Sequence, residues 1–556
     1  MANINSVSNP HKIACLTTSQ CTADFLAQLK KTDKKSSSWL SLYPTASEMI
    51  NHFFQLPQPL LILNTQFWHA AIAIVQTTNN SQLPLLALQN YDHEKLFGRI
   101  NLLSQTQITF QQGEIANLKD GILILHISPL LVTPHLWFLL KAFLLNQQLS
   151  ASSALNSEKL RGALPAQPSE KINTKIILVA NRYQLDELAQ IDPDYSQVSL
   201  LFSELSGEVK SSDENVQALR LYCQQLINAQ SLQPLTDEAF AQLFLHLSLL
   251  CEHQKKILFS PKIIESILSY AQLFSQQSET QQGYIDKLHI QQALEIQHRA
   301  QSNAQNFSDQ ALLEKQLKIQ LQGETIGQIN GLSVVELMGY PTEFGEIFRI
   351  SASDMVGDGE IIDVERKVEL AGNVHAKSTL IVQGYLNHFF THVANFPLSC
   401  NVVFEQSYQE SDGDSASLAI LLAVTSCYAQ TAVAQNLFVT GALDQHGNVL
   451  AIGGINQKIE SVARLFRLGL LTDAVTVLMP EANQINLMLS DETLKLIENK
   501  KINIFAIQHS LEAFPFAMSH SFETVIEMIN KRIHFLHKED DSEHTGIISK
   551  CLNLLR

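Results

Sequence analysis

Two residues 43 positions apart carry the clearest chemistry in this sequence. Ser415 lies in Asp412-Gly413-Asp414-Ser415-Ala416-Ser417, ahead of the apolar run Leu418 to Ala429. Lys458 closes the stretch that opens at Thr440-Gly441 and passes through Asp444-Gln445-His446-Gly447 and Gly453-Gly454. The first segment sets a hydroxyl at the mouth of a helix, where unpaired backbone N–H groups favour an anion. The second delivers an amine near the start of the next helix. A serine hydroxyl attacks only when a neighbouring base takes its proton. Lysine can do so only when neutral, so its ordinary pKa of about 10.4 must fall by roughly two or three units for use near neutrality. Burial among Ile452, Ile455 and Ile459 would achieve that, since full desolvation shifts a lysine by up to about 3–5 units. The pattern predicts Ser415 as nucleophile, Lys458 as base, and amides at the helix mouth as donors to a tetrahedral oxyanion.

The two aspartates oppose this chemistry, because a carboxylate beside Lys458 stabilises the charged form that cannot act as a base. Asp412, or alternatively Asp414, is expected to pair with Lys458 in a resting state and to release it when substrate or assembly reorganises the loop. Taken singly, Asp414 and Ser415 also suit helix capping, and Lys458 suits a solvated helix face. His375 and Lys377 precede an apolar run, Thr379 to Val382, that reads as a strand. Surface or core positions are expected for both, rather than places in the site.

The elements that must position these residues begin near Ile326, where the texture becomes short β-type runs with glycine turns. Gln328 to Leu337, Phe348 to Ser351, Glu360 to Val364 and Thr379 to Val382 read as strands. Helices are expected at Leu386–Val393, Ala416–Ala429 and Ile455–Leu468, a hairpin around Asp444 to Gly447, and strands at Ala474–Leu478 and Ile502–Ile507. Upstream, 213–305 shows helical periodicity and few glycines, and Gln291 to Leu321 continues it as a polar connector.

The first 210 residues read as an α/β sheet domain laid out like a nucleotide-binding one. Leu60 to Leu63 is a buried strand followed by a helix at Phe67–Val75, and further apolar strands lie at Gly121–Leu125 and Ile176–Ala180. The phosphate loop is missing. No glycine precedes Gly98, and the strand-to-helix turn is Asn64-Thr65-Gln66-Phe67-Trp68-His69, without a lysine. A phosphate cradle needs glycines so that successive N–H groups converge on the anion. His126 stands where a magnesium-binding carboxylate would be expected, and Asn181 reads as a structural turn rather than a nucleotide sensor. Ser150 to Thr174 has the composition of a surface insertion.

The chain of 556 residues, with a net charge of −16 spread along its length, is too long for one core and predicts three or four units. It carries no basic footprint for nucleic acid or anionic lipid. Seven cysteines at wide spacings, with no C-x-x-C pair, point to a reducing cytosol rather than a disulfide framework or zinc ribbon. The N-terminus lacks the basic and apolar regions of a signal peptide. The most apolar run, Ala416 to Ala434, is interrupted by Ser417, Thr425, Ser426, Gln430 and Thr431, as a buried helix is and a membrane span is not.

At Gly327 to Val334, Leu380 to Leu386, Asp412 to Ser417 and Thr440 to Lys458 the sequence resembles the proteolytic domain of the Lon protease family. Its D-G-D-S-A-S form resembles the archaeal, B-type branch. The likeness spans 322–515, and the whole chain is similar to bacterial Lon homologues with a degenerate ATPase region. The resemblance implies Ser415 as nucleophile, Lys458 as general base, and Thr440 as a residue that positions the dyad. It also implies a homo-oligomeric ring, usually a hexamer, with sites facing an inner chamber. The expected architecture is a multidomain α/β protein. It comprises a degenerate P-loop NTPase-like (AAA+-like) domain at 1–210, a helical lid-like domain with connector at 211–321, the Lon-type proteolytic domain at 322–515, and a helical extension with a charged tail at 516–556. The expected function is a cytoplasmic serine endopeptidase acting on unfolded or flexible polypeptides without ATP hydrolysis, and needing neither cofactor nor metal. A non-enzymatic chaperone-like or scaffold ring and an ATP-dependent Lon protease are the alternatives. No nucleic acid and no membrane is expected among its partners.

Overall fold

A computed structural model describes residues 13–31, 38–104, 107–149, 170–198, 201–277, 283–364, 373–391, 393, 396–406 and 414–537. The chain divides into two compact units, one of 25–251 with 256–294, the other of 1–24, 252–255 and 295–556.

The first unit holds a five-stranded parallel sheet. Its strands are β1 (Leu60–Asn64), β2 (Leu85–Leu88), β3 (Ile122–His126), β4 (Lys175–Ala180) and β5 (Phe202–Glu204), in the order β2-β3-β4-β1-β5. Leu61, Leu63, Ile124, Ile177 and Leu178 are fully buried. Such continuous Leu/Ile/Val runs are what a parallel sheet covered on both faces requires. Helix α1 (Trp68–Thr78) follows β1, and α2 (Arg182–Ile191) follows β4. Asn181 caps α2, its carboxamide oxygen accepting from Gln184 N–H at 2.9 Å while the Gln184 side chain accepts from Asn181 N–H at 3.0 Å. That reciprocal arrangement is a capping box, and it gives Asn181 the structural turn expected of it. The helical stretch of this unit contains α3 (Asp213–Ala229), α4 (Asp237–Leu249) and α5 (Pro261–Gln277). The expected insertion at 150–169 and the tail from Lys538 lie outside the described residues.

The second unit is built on a seven-stranded mixed sheet. Its strands are β6 (Gln328–Val335), β7 (Phe344–Val356), β8 (Ile361–Asp363), β9 (Leu398–Glu405), β10 (Leu437–Val439), β11 (Val475–Pro480) and β12 (Ile502–Ile507), ordered β8-β9-β7-β6-β10-β11-β12. Strands β6, β10, β11 and β12 run parallel, and β7 runs antiparallel to both β6 and β9. Successive side chains of a strand point to opposite faces, and the core divides accordingly. Ile329, Ile350, Ala352 and Val402 pack with helix α6 (Ser417–Ala429). Leu332, Ile347, Phe438, Val477 and Ile504 pack with helix α7 (Ile455–Arg467) on the other face.

The two helices differ as their burial demands. Every residue of α6 from Ser417 to Tyr428 is buried, as befits a helix apolar all round. Its hydroxyls are satisfied at home: Thr425 donates to Leu421 O at 2.7 Å, and Ser426 donates to Thr431 O while accepting from Gly327 N–H at 2.9 Å. Helix α7 is amphipathic, turning Ile455, Ile459, Val462 and Leu465 inward.

One expectation fails. Thr379 to Val382 is not a strand but the middle of helix α8 (Asn373–Phe389). The run Thr379-Leu380-Ile381-Val382 is rich in β-branched residues, which favour strands locally. Burial of Ser378, Val382, Tyr385, Leu386 and Phe390, with Leu380 exposed, recurs at the helical period and overrides that preference. Strands β9 and β10 were not expected from the sequence.

The first turn of α7 is fixed by two glycines. Gly454 has φ +61°, and a Cβ on it would lie 2.4 Å from Val334 Cγ2. Gly345, at the start of β7, has room for no side chain, since a Cβ would lie 2.0 Å from Gln457 O. Gly345→Ala is expected to force strand and helix apart at a cost of about 1–3 kcal/mol, the usual range for overpacking. Thermal unfolding followed by near-ultraviolet circular dichroism checks this, and an unchanged midpoint would contradict the contact.

Candidate active site

The carboxyl end of β10 leads into the segment that holds the start of α6. Leaving β10, Thr440 donates its N–H to Leu478 O at 3.1 Å and Gly441 donates its N–H to Ser415 O at 2.8 Å. Thr440 is fully buried, and its Oγ1 also donates to Ser415 O, at 3.5 Å. Leu418 N–H in turn reaches Gly441 O at 3.1 Å. The 440–441 segment therefore clamps the backbone at Ser415 and at Leu418; Ser415 occupies a short 3₁₀ turn, Asp414–Ala416, ahead of α6.

No side chain caps α6. The capping hydroxyl nearest its start is that of Ser417, which donates back to Asp414 O at 2.6 Å. The Ser415 hydroxyl is thus not spent on capping, the ordinary structural use of a serine at this position.

Lys458 sits in the first turn of α7 with 3% of its surface exposed. Ile455 and Ile459, both buried, flank it on the helix, and Ile452 packs partly buried against the same cluster. Removing an ammonium from water penalises its charged form. Burial accordingly lowers the Lys458 pKa from 10.5 to about 8, with the charge of Asp414 acting in the opposite direction. The residue preceding Ser415 therefore lies within electrostatic reach of the lysine. Among the described residues, no carboxylate forms an ion pair with the Lys458 amine.

Of the two aspartates, Asp412 lies outside the described residues. Asp414 makes its ion pair elsewhere, with Lys377 of α8, at 2.8 Å between Oδ2 and Nζ. Lys377, expected at the surface or in the core rather than in the site, is exposed but reaches the turn that holds Ser415. Reading 379–382 as a strand hid this, and the helical spacing of Ser378, Val382 and Tyr385 was the signal available. The side chain of His375 lies outside the described residues.

The hairpin between Thr440 and Lys458 is a spacer rather than a source of reactive groups. Strands Ala442–Leu443 and Val449–Leu450 pair antiparallel. Between them Asp444 accepts from His446 N–H at 2.8 Å, from Asn448 N–H at 2.9 Å and from the Asn448 carboxamide at 2.7 Å. Burial alone would raise its pKa, but these donors outweigh it and hold the carboxyl below its usual range.

Family comparison agrees with this geometry. Residues 309–514 match the Lon protease C-terminal proteolytic domain, and 81–203 match a LonB-like AAA domain. A Lon protease homolog of Escherichia coli is 32% identical over 449 residues, covering 79% of this chain and 74% of its own. A Lon protease homolog of Haemophilus influenzae is 34% identical over 436 residues, covering 78% and 71%. The chain belongs to the Lon protease family. The archaeal Lon protease of Methanocaldococcus jannaschii is 40% identical over 103 residues, 18% of this chain and 14% of its own. This Lon family member therefore joins an AAA-like parallel sheet to a Lon proteolytic domain. No helix among its described residues is long and apolar enough to cross a membrane.

At the turn after β1, two backbone amides are engaged internally. Thr65 N–H donates to Ala180 O at 2.8 Å, and Phe67 N–H donates to Thr65 Oγ1 at 3.1 Å. The Phe67 ring lies against Gly207, where a Cβ would meet it at 2.0 Å. Trp68 meets the ring of His126 edge to face, 5.5 Å between centroids.

The lowered pKa of Lys458 has a cost. Below its folded-state pKa the ammonium is charged in both folded and unfolded chains, and the burial penalty is fully present. As pH rises from about 8 towards 10.5 the folded state releases its proton first, and the penalty is relieved. Lys458→Met, which fills a similar volume without charge, is expected to stabilise the protein at pH 7 by up to about 3 kcal/mol, since each pKa unit corresponds to about 1.4 kcal/mol. Melting at pH 7 and pH 10 checks it, and the gain should shrink at the higher pH.

Proposed function

We propose that this Lon family protein is a serine endopeptidase in which Ser415 attacks and Lys458 is the general base, and that it works without ATP hydrolysis. One observation carries the reading: a lysine amine buried among isoleucines, within electrostatic reach of Asp414, the residue before Ser415. Lys458 Nζ takes the Ser415 Oγ proton as Oγ bonds to the scissile carbonyl carbon. Charge gathers on the carbonyl oxygen, and amides of the Asp414–Ala416 turn are suited to receive it. Removing one such donor in a well-studied protease costs about 3–4 kcal/mol of transition-state stabilisation. As the intermediate collapses, the Lys458 ammonium protonates the leaving amine and leaves an ester on Ser415. Water then attacks the ester, Lys458 takes its proton and returns it to Ser415 Oγ as the acyl–oxygen bond breaks, and the carboxylic product departs. Thr440 positions Ser415 through its carbonyl.

ATP independence is supported by the turn after β1. Its Thr65 and Phe67 amides bond within the protein, it has no glycine or lysine, and His126 stands where a magnesium ligand is expected. The regions at 1–210 and 211–321 then serve to gate, recognise substrate or hold a ring together. The substrates are unfolded or flexible polypeptides, and the compartment is the cytoplasm.

Wild type is expected to cleave an unfolded casein equally with and without ATP and magnesium, while Ser415→Ala and Lys458→Ala are inactive. Because the base must be neutral, the rate should climb with pH through an apparent pKa near 8. ATP stimulation would overturn the independence, and cleavage by Ser415→Ala would overturn the dyad.

A further inference from the structure

Lys377 has no assigned role, yet it holds the carboxylate next to the proposed nucleophile. Helix α8 packs against the Asp414–Ala416 turn, and Lys377 Nζ lies 2.8 Å from Asp414 Oδ2. The lysine side chain is 61% exposed, so the pair contributes little to stability. Its position is what distinguishes it. Asp414 is the carboxylate whose charge acts on Lys458, and its ion pair is made with a different lysine.

Glu336 and Glu343, beside β6 and β7, lie near Glu252, and burial followed by the charges of Glu336 and Glu252 raises the pKa of the Glu343 carboxyl. The following charged groups around α7 have partners of their own. On α7 itself, Glu460 accepts from Ser490 and Thr493, and Arg464 pairs with Asp309 at 2.8 Å. From the elements packed against it, Glu346 of β7 accepts from Ser308, Glu492 pairs with Arg467, and Glu481 accepts from Gln508. Glu252 accepts from Gln457 at 2.8 Å, and Asp444 is held by its own hairpin. Asp414 is therefore the described carboxylate through which the charge on Lys458 can be set.

We propose that Lys377 is a positioning residue of the site. By anchoring the Asp414 carboxylate from α8, it keeps that charge from pairing with Lys458 and so leaves Lys458 able to accept the Ser415 proton. This rests on the dyad proposed above. Two lysines lie near one aspartate: the exposed one takes the carboxylate, and the buried one is left to act as base. Loss of Lys377 frees Asp414 to turn to Lys458, and the base then loses its proton only at higher pH.

The test is the pH dependence of casein cleavage by the full chain, for wild type, Lys377→Met, Lys377→Arg, Asp414→Asn and the double variant Lys377→Met with Asp414→Asn, with Ser415→Ala as the blank. Lys377→Met should move the rising limb upward by about one pH unit, a loss of about tenfold at pH 7, with wild-type rates recovered at high pH. Lys377→Arg should restore the wild-type limb, and the double variant should follow Asp414→Asn alone. An unmoved limb in Lys377→Met, or a shift that persists in the double variant, overturns the proposal. Should Lys377→Met fold poorly by circular dichroism, the comparison of Asp414→Asn with the double variant still decides, because a merely structural Lys377 would lower the rate in both backgrounds. Residual cleavage by Ser415→Ala would instead remove the underlying dyad.

Discussion

A lysine amine enclosed by aliphatic side chains is the constraint on which the rest of the proteolytic unit depends. Lys458 retains 3% exposure in the first turn of α7, and that placement has an unfavourable charge term below the pKa that burial imposes. It persists because α7 is over-determined. Its inward face joins a core with Leu332, Ile347, Phe438, Val477 and Ile504, its start is set by the left-handed Gly454, and its first turn abuts Gly345 without room for a methyl group. The lysine is carried inward by contacts it does not make.

The sheet supplies the second condition. Serine and lysine come from helices packed on opposite faces, so neither helix can bring both groups into one place by itself. The serine side is fixed where β10 ends and the chain turns through Thr440 and Gly441, whose amides bond to Leu478 and Ser415, and the charge of the neighbouring Asp414 reaches Lys458. Open sheets gather ligands beyond the carboxyl ends of their parallel strands, and β10 lies between the parallel neighbours β6 and β11. A site on the ends of rigid elements is positioned more closely than one made of loops.

In the other unit the frame of an AAA-like parallel sheet is kept, and the turn after β1 carries neither glycine nor lysine. Buried strands of Leu, Ile and Val stabilise a parallel sheet whether or not a ligand binds. Thr65, Phe67 and Trp68 can therefore occupy the turn that glycines and a lysine would otherwise need. Much of this was legible in the sequence, because composition at a single turn decides whether amides can converge. The apolar runs at Leu60, Ile122 and Ile176, the wholly buried helix after Ser415 and the amphipathic helix at Lys458 were legible for the same reason, their periodicity being unambiguous. What escaped was decided at a distance. Thr379 to Val382 carries strand-forming side chains but lies in a helix, because its neighbours at helical spacing are the ones buried. With that helix misread, Lys377 could not be placed beside Asp414. Strands β9 and β10 are short or flanked by residues outside clear patterns, and only their partners define them.

The central claim is that burial makes Lys458 the base for Ser415. Labelling the whole protein with a fluorophosphonate probe across pH, with the modified residue identified by mass spectrometry, tests it without any substrate. The account predicts one adduct, on Ser415, forming at a rate that rises through an apparent pKa near 8 and that is lost in Lys458→Met. Labelling of Ser415 that is independent of pH and survives Lys458→Met, or labelling elsewhere in its place, would contradict it.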